Sequence, residues 1–535
     1  MKKRAIIKDV IDVNKVFILD STLRDGVQAK GISFSVDDKL KIAQKLDSLG
    51  VSYIEAGNPG SNPKDLEFFA RAKELKLENA KLCAFGATHR VGISVEEDIN
   101  VASMIEADTP VVSVFGKAWD LHVFDILDTT KENNLKIISD TISYFKSKGK
   151  EVIFDAEHFF DGYKSNPDYA LECICAAKSA GADCIVLCDT NGAAFPDEIE
   201  KITKEAINKV DIPIGIHCHN DIGVAIANSL MAVRAGATHV QGTMNGIGER
   251  CGNANLSAII PNLELKMGYS CIKEGKLEDI TDTARFVSEI ANISHDERQP
   301  YVGACAFSHK GGMHVDGVMK NSSTFEHINP EAVGNVRRVL ISEMAGRANV
   351  IKAIQKVDPS LDKHSAEVGK VINKLKELEY EGYQFEGAES SMDLLIRKVL
   401  GKYEPYFDLN QFKVIVSEPS GKELSSSALI KIHVGKSEAI TAAEGNGPVA
   451  ALDTALRRAL EQFYPQLKDV RLTDYKVRVL DSQNATESKV RVLVESSDGI
   501  NSWSTVGVST DIIDASWHAL VDSLEYKLLL DSLKN

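Results

Sequence analysis

Between Val16 and Asn245, eight short β-prone runs recur roughly every 30 residues, each followed by a helix-like stretch. The runs fall at residues 17–20, 51–56, 81–86, 110–115, 151–155, 184–188, 213–217 and 238–242. Strands separated by helices lie parallel, since a hairpin cannot join them. Eight such units predict an α/β fold, a closed (β/α)8 TIM barrel. A doubly wound open sheet is the runner-up, and the strand count and spacing favour closure. The stretch after Ser35 shows the local grammar: Ser35 and Asp38 resemble a capping box, and Gly50 marks a helix stop.

The pattern changes twice beyond the barrel. Residues 275–410 are mostly helical, as in 366–378, and form linker subdomains. From 411 to 535 strands at 412–416, 428–434, 476–480, 489–495 and 502–508 alternate with helices near 448–463 and 512–530. That predicts a separate α+β domain after a barrel of residues 1–274. The net charge of −15 argues against non-specific nucleic-acid or anionic-membrane partners, which need a basic surface. Nine cysteines include no Cys-x-x-Cys pair and read as buried, reduced thiols. Asp9, Asp12, Asn14 and Lys15 interrupt any apolar run near the start, so no signal peptide is read and a cytoplasmic location is expected.

In a barrel of this kind chemistry sits at the C-terminal strand tips. The seventh run ends in Ile214-Gly-Ile-His-Cys-His-Asn-Asp221. Residues two apart on a strand face the same way, so His217 and His219 can converge on one metal ion if a third ligand faces them. The first run leads to Arg24 and Asp25, the second ends at Glu55, and the fifth at Asp155 and Glu157. The sixth leads into Asp189-Thr190-Asn191-Gly192, and the eighth into 243–253 with Gly246, Gly248, Gly252 and Asn253. Each has a plainer reading: a surface ion pair for Arg24 and Asp25, helix caps for Glu55 and Asp189, a turn for the glycines.

Three stretches together carry a resemblance: Asp20-Ser-Thr-Leu-Arg-Asp-Gly26, His217-Cys-His-Asn-Asp221 and Gly248-Glu-Arg-Cys-Gly-Asn253. The chain resembles the metal-dependent 2-isopropylmalate, homocitrate and citramalate synthase group over essentially its whole length, including Ser308-His-Lys-Gly-Gly-Met-His-Val-Asp-Gly317. Within that group, Glu55-Ala-Gly-Asn-Pro-Gly-Ser-Asn-Pro-Lys-Asp65 is more similar to the citramalate synthases, which use pyruvate. The resemblance implies a divalent metal ion (Mg, Mn, Zn or Co) on Asp25, His217 and His219, with Asn253 as a further ligand. It implies Arg24 as stabiliser of the developing oxyanion, Thr190 as partner of the substrate carboxylate, and acetyl-CoA as co-substrate. Glu157 and His314 are the implied acid/base pair. In the family the equivalent histidine reaches the partner subunit's active site, which implies an interlocked homodimer.

The implied reaction is condensation of acetyl-CoA with pyruvate to citramalate, the entry to an isoleucine route. The rivals are 2-isopropylmalate synthase, an acyl-CoA lyase running the reverse cleavage, and an amino-acid sensor with a dead barrel. Phe85 and Phe115, at the third and fourth tips, either narrow the site to pyruvate or fill the core. Relatives carry a tyrosine after the histidine segment, where this chain has Phe325. Residues 411–535 resemble the leucine-binding regulatory domain, with isoleucine as the expected effector. There Glu444-Gly-Asn-Gly-Pro448 reads either as a carboxylate-attracting helix entry or as an ordinary loop.

Overall fold

The structure is a computed structural model that describes residues 14–309, 312–339, 347–362, 364–385, 387–417, 426–480, 488–499 and 501–534. Lys310 and Gly311 of the Ser308–Gly317 stretch therefore lie outside the described residues. The chain divides into two units, one running to Phe307 with Glu326–Arg337, the other comprising Ser308–Phe325 and the chain from Arg338.

The first unit is a closed parallel barrel of eight strands. They are β1 (Phe17–Asp20), β2 (Tyr53–Gly57), β3 (Lys81–Ala87), β4 (Val111–Lys117), β5 (Glu151–Glu157), β6 (Cys184–Asp189), β7 (Ile214–Cys218) and β8 (His239–Gly242). β1 closes the ring against β8, with Asp20 opposite Gly242. Every expected run is a strand, to within two residues at either end. The first helix, Val36–Leu49, begins at a true capping box: Asp38 N–H donates to Ser35 Oγ, and Ser35 N–H to Asp38 Oδ2. It ends at Gly50, whose φ of 92° only glycine adopts readily. Leu19, Tyr53, Cys83, Val111, Ile153 and Cys184 fill the barrel interior. The barrel is thus a packed core, and chemistry is confined to its C-terminal mouth.

In the second unit, helices Arg347–Val357, Ala366–Glu381 and Glu389–Val399 share an apolar cluster around Ile354, Val371 and Met392. Two successive βββα repeats follow. Strands Asp408–Val416, Ser426–Val434 and Ser437–Gly445 form one antiparallel sheet behind helix Pro448–Leu460. Strands Arg471–Val479, Val490–Ser497 and Ser502–Ser509 form the other behind helix Ile512–Lys534. Both helices contribute to one core through Leu456, Leu460, Leu520 and Leu524. The strand Ser437–Gly445 is not among those expected from sequence. Its alanines and glutamates disfavour strands, and it forms one because Ala439 and Ala443 pack inward beside a paired neighbour. Among the described residues no helix is long and apolar enough to cross a membrane.

Candidate active site

A tight turn leaves β1. The Ser21 carbonyl accepts from the N–H groups of Arg24, Asp25 and Gly26, which turns Arg24 and Asp25 into the barrel mouth. Across the mouth, β7 delivers His217, and His219 follows just beyond the strand. The histidine segment is laced to the 248–253 loop: Ala254 N–H donates to the Cys218 carbonyl and Asn220 N–H to the Gly252 carbonyl, both at 2.9 Å. Gly252 is required there. Its φ is +94°, and a Cβ would meet the Gly246 carbonyl oxygen at 2.1 Å.

Asp25, His217 and His219 are all buried, and their donor atoms lie within 4.8 Å of one another. Asp25 Oδ2 stands 3.4 Å from His217 Nε2 and 4.0 Å from His219 Nε2. Two donors each about 2.1 Å from one ion lie roughly 3–3.5 Å apart, close to the shorter of these separations. His217 Nδ1 is 2.9 Å from Gln241 Oε1, so the imidazole donates there and turns Nε2 toward Asp25. Asp25 Oδ1, His219 Nδ1 and both polar atoms of the Asn253 side chain are buried without a hydrogen-bond partner. Such orphans around one carboxylate and two imidazoles fit a divalent cation, and mixed N and O donors suit Mg, Mn, Zn or Co.

The charges fit as well. Burial raises the Asp25 carboxyl, but Arg24 and His217 outweigh it and hold the group well below the carboxylate range. Burial lowers His217, yet Asp25 outweighs that and raises it. Burial, helped by His217, depresses His219 to about 3, so it stays neutral with a lone pair to give.

Arg24 is largely buried rather than on the surface. Its Nε donates to Glu55 Oε2 at 2.7 Å, Nη1 lies 3.2 Å from Asp25 Oδ2, and the guanidinium sits 3.8 Å over the Phe85 ring. Phe85 stacks on Phe115 at 5.1 Å. Glu55 is fully buried and braced by Ser21 Oγ, so it anchors Arg24 rather than capping a helix. Asp189 accepts from the N–H groups of Ala193 and Ala194 and braces its own loop.

A cavity of about 270 Å³ joins Arg24, Asp25, His217 and His219 to Glu157, Thr190, Phe85 and Phe115. Glu157 is ion-paired with Lys117, and Thr190 Oγ1 accepts from His158 N–H at 2.9 Å. Asn253 is bridged to His219 through the backbone. His314 lies in the other unit, on helix Gly312–Lys320, exposed and stacked on Phe325. Lys117, Gln241 and Ser113 were not singled out from sequence. The one available signal was a polar residue inside a buried strand, as Gln241 is in His239-Val-Gln-Gly242.

Residues 15–287 match the HMGL-like family model. Residues 301–382 match the homocitrate synthase post-HMGL domain-like model, and 386–528 the LeuA allosteric (dimerisation) domain. An (R)-citramalate synthase of Aquifex aeolicus is 53% identical over 97% of this chain and 98% of its own. Another, of Geobacter sulfurreducens, is 50% identical over 96% and 97%. A probable 2-isopropylmalate synthase of Methanopyrus kandleri is 33% identical over 95% and 97%.

Proposed function

The chain belongs to the HMGL-like family of the citramalate and 2-isopropylmalate synthases, and on that footing we propose that it condenses acetyl-CoA with pyruvate to give citramalate and CoA. The observation that carries the choice of acceptor is full-length identity of 53% and 50% to (R)-citramalate synthases, against 33% to a probable 2-isopropylmalate synthase. The stacked Phe85–Phe115 wall beside Arg24 also favours a small acceptor.

Asp25, His217 and His219, with Asn253 as a further ligand, would hold a divalent cation, which would supply Lewis-acid polarisation of a keto group. Arg24 is always charged and already oriented, so its guanidinium stabilises the oxyanion as the carbon–carbon bond forms. Thr190 keeps its hydroxyl hydrogen for the substrate carboxylate, because its oxygen accepts from His158. Glu157, which lines the cavity, and the partner subunit's His314 remove the acetyl-CoA methyl proton and manage the water of thioester hydrolysis. An obligate homodimer follows from that sharing, and the dimerisation-domain match at 386–528 supports it. Isoleucine is the proposed effector of that domain.

CoA release measured with pyruvate, 2-oxoisovalerate and 2-oxoglutarate tests the assignment. Pyruvate is expected to give the highest kcat/KM, and preference for 2-oxoisovalerate overturns it. Isoleucine is expected to inhibit the full-length enzyme more strongly than leucine. The reverse order removes the proposed effector.

A further inference from the structure

Behind the metal donors runs a hydrogen-bonded chain that spans the barrel. Gln241 on β8 sits directly beside His217 on β7 in the strand register. His217 Nδ1 is 2.9 Å from Gln241 Oε1. The Gln241 amide nitrogen donates to Asp155 Oδ1 on β5 at 2.9 Å, and Ser113 Oγ on β4 donates to Asp155 Oδ2 at 2.8 Å. Gln241 and Ser113 are fully buried, Asp155 and His217 nearly so.

β5 and β8 are not neighbours in the barrel, so the Gln241–Asp155 link crosses its interior. A carboxylate accepts and cannot donate, which orients the carboxamide with its NH2 toward Asp155 and its oxygen toward the imidazole. His217 Nδ1 must then carry a hydrogen, and Nε2, beside Asp25, is the nitrogen whose lone pair the neutral ring offers an ion. His219 has no such clamp, since its Nδ1 is buried without a partner. Of the two imidazoles, one is fixed in tautomer and direction before any ion arrives.

We propose that Gln241 is the positioning residue of the metal centre: braced by Asp155 and Ser113, it commits His217 to bind through Nε2. The inference rests on the metal-centre reading above. It makes Gln241 matter to ion affinity without touching ion or substrate. The shape of the side chain is secondary, and the acceptor oxygen is the part that acts.

Two full-length variants separate acceptor from shape. Gln241→Met fills similar space with no oxygen, while Gln241→Glu keeps an acceptor for Nδ1–H and gives up the donor to Asp155. Calorimetric titration of the metal-free proteins with Mn²⁺ is expected to show Gln241→Met about 10- to 100-fold weaker than the parent. Gln241→Glu is expected to recover most of that loss. In the metal-free parent, at a pH where the His217 ring is neutral, ¹⁵N NMR of the histidine rings is expected to report an Nδ1–H tautomer at His217, and Gln241→Met to lose that preference. If both variants bind Mn²⁺ within threefold of a parent that does bind it, the proposal is overturned and the metal centre stands. If the parent binds no divalent cation, both fall.

Discussion

The Arg24 guanidinium is fixed to Glu55: Nε and Oε2 are 2.7 Å apart, and the Glu55 carboxylate is fully buried. Arg24 also touches Asp25 and lies on the Phe85 ring, so three groups hold one fork. A lysine keeps the charge but cannot span Glu55 and Asp25 while lying flat on an aromatic face. Arg24→Lys is expected to lower kcat for CoA release about 100- to 1,000-fold, with unchanged circular dichroism. A loss below threefold contradicts the role given to the guanidinium.

Metal affinity is expected to carry a pH signature of one proton. His217 is raised above its ordinary value of 6.5, and a cation must displace the proton it holds. His219, held at about 3, does not compete in the same range. Affinity is therefore expected to be highest above the raised His217 value and to fall about tenfold per pH unit below it. Mn²⁺ titrations from pH 8 down to 5 measure the slope. A slope of two protons contradicts the neutral His219, and a flat profile contradicts His217 as a ligand.

His239 offers a stability test remote from the metal. It is buried at the start of β8 against Tyr53, its Nε2 has no partner, and burial lowers it to about 4. The unfolded chain takes up a proton near 6.5 that the folded chain refuses until about pH 4. Stability is full above 6.5 and falls by about 3 kcal/mol as pH drops through that window. Urea midpoints of the parent and His239→Gln, followed from pH 7 to 4, are expected to converge as the parent loses its advantage. Parallel curves contradict this account.

The His314 and Phe325 rings stack at 4.2 Å, nearly parallel. His314→Ala is expected to lower kcat at least about 100-fold while Mn²⁺ affinity stays within twofold. Phe325→Tyr preserves the stack and is expected to keep the parent's rate. Phe325→Ala removes it and costs up to about tenfold in kcat. Loss of Mn²⁺ binding in His314→Ala would place that histidine with the ligands.

The barrel was legible because its strands are short apolar runs at even spacing, and because Ser35 and Gly50 punctuate the first helix in the expected way. His217 and His219 announced themselves by spacing on such a run, and Asp25 by its place at the first tip. Ser437–Gly445 hid because alanine and glutamate carry no strand signal, and only pairing with Ser426–Val434 makes that segment extended. Glu55 was visible but its task was not, since its partner Arg24 lies 31 residues away, on the turn after β1. The tasks of Gln241, Ser113 and Lys117 were hidden for the same reason, although Gln241 stands out as a polar residue in a buried strand. Lys117 and Ser113 meet Glu157 and Asp155 on the neighbouring strand, and Gln241 meets Asp155 across the barrel, pairings that only the assembled strands create.

The most direct test is a Mn²⁺ titration of the metal-free parent beside Asp25→Ala and His217→Ala, with the free ion counted by electron paramagnetic resonance. One Mn²⁺ per chain is expected in the parent, with no saturable site in either variant although both keep the parent's circular dichroism. Stoichiometric binding retained by both folded variants contradicts this expectation.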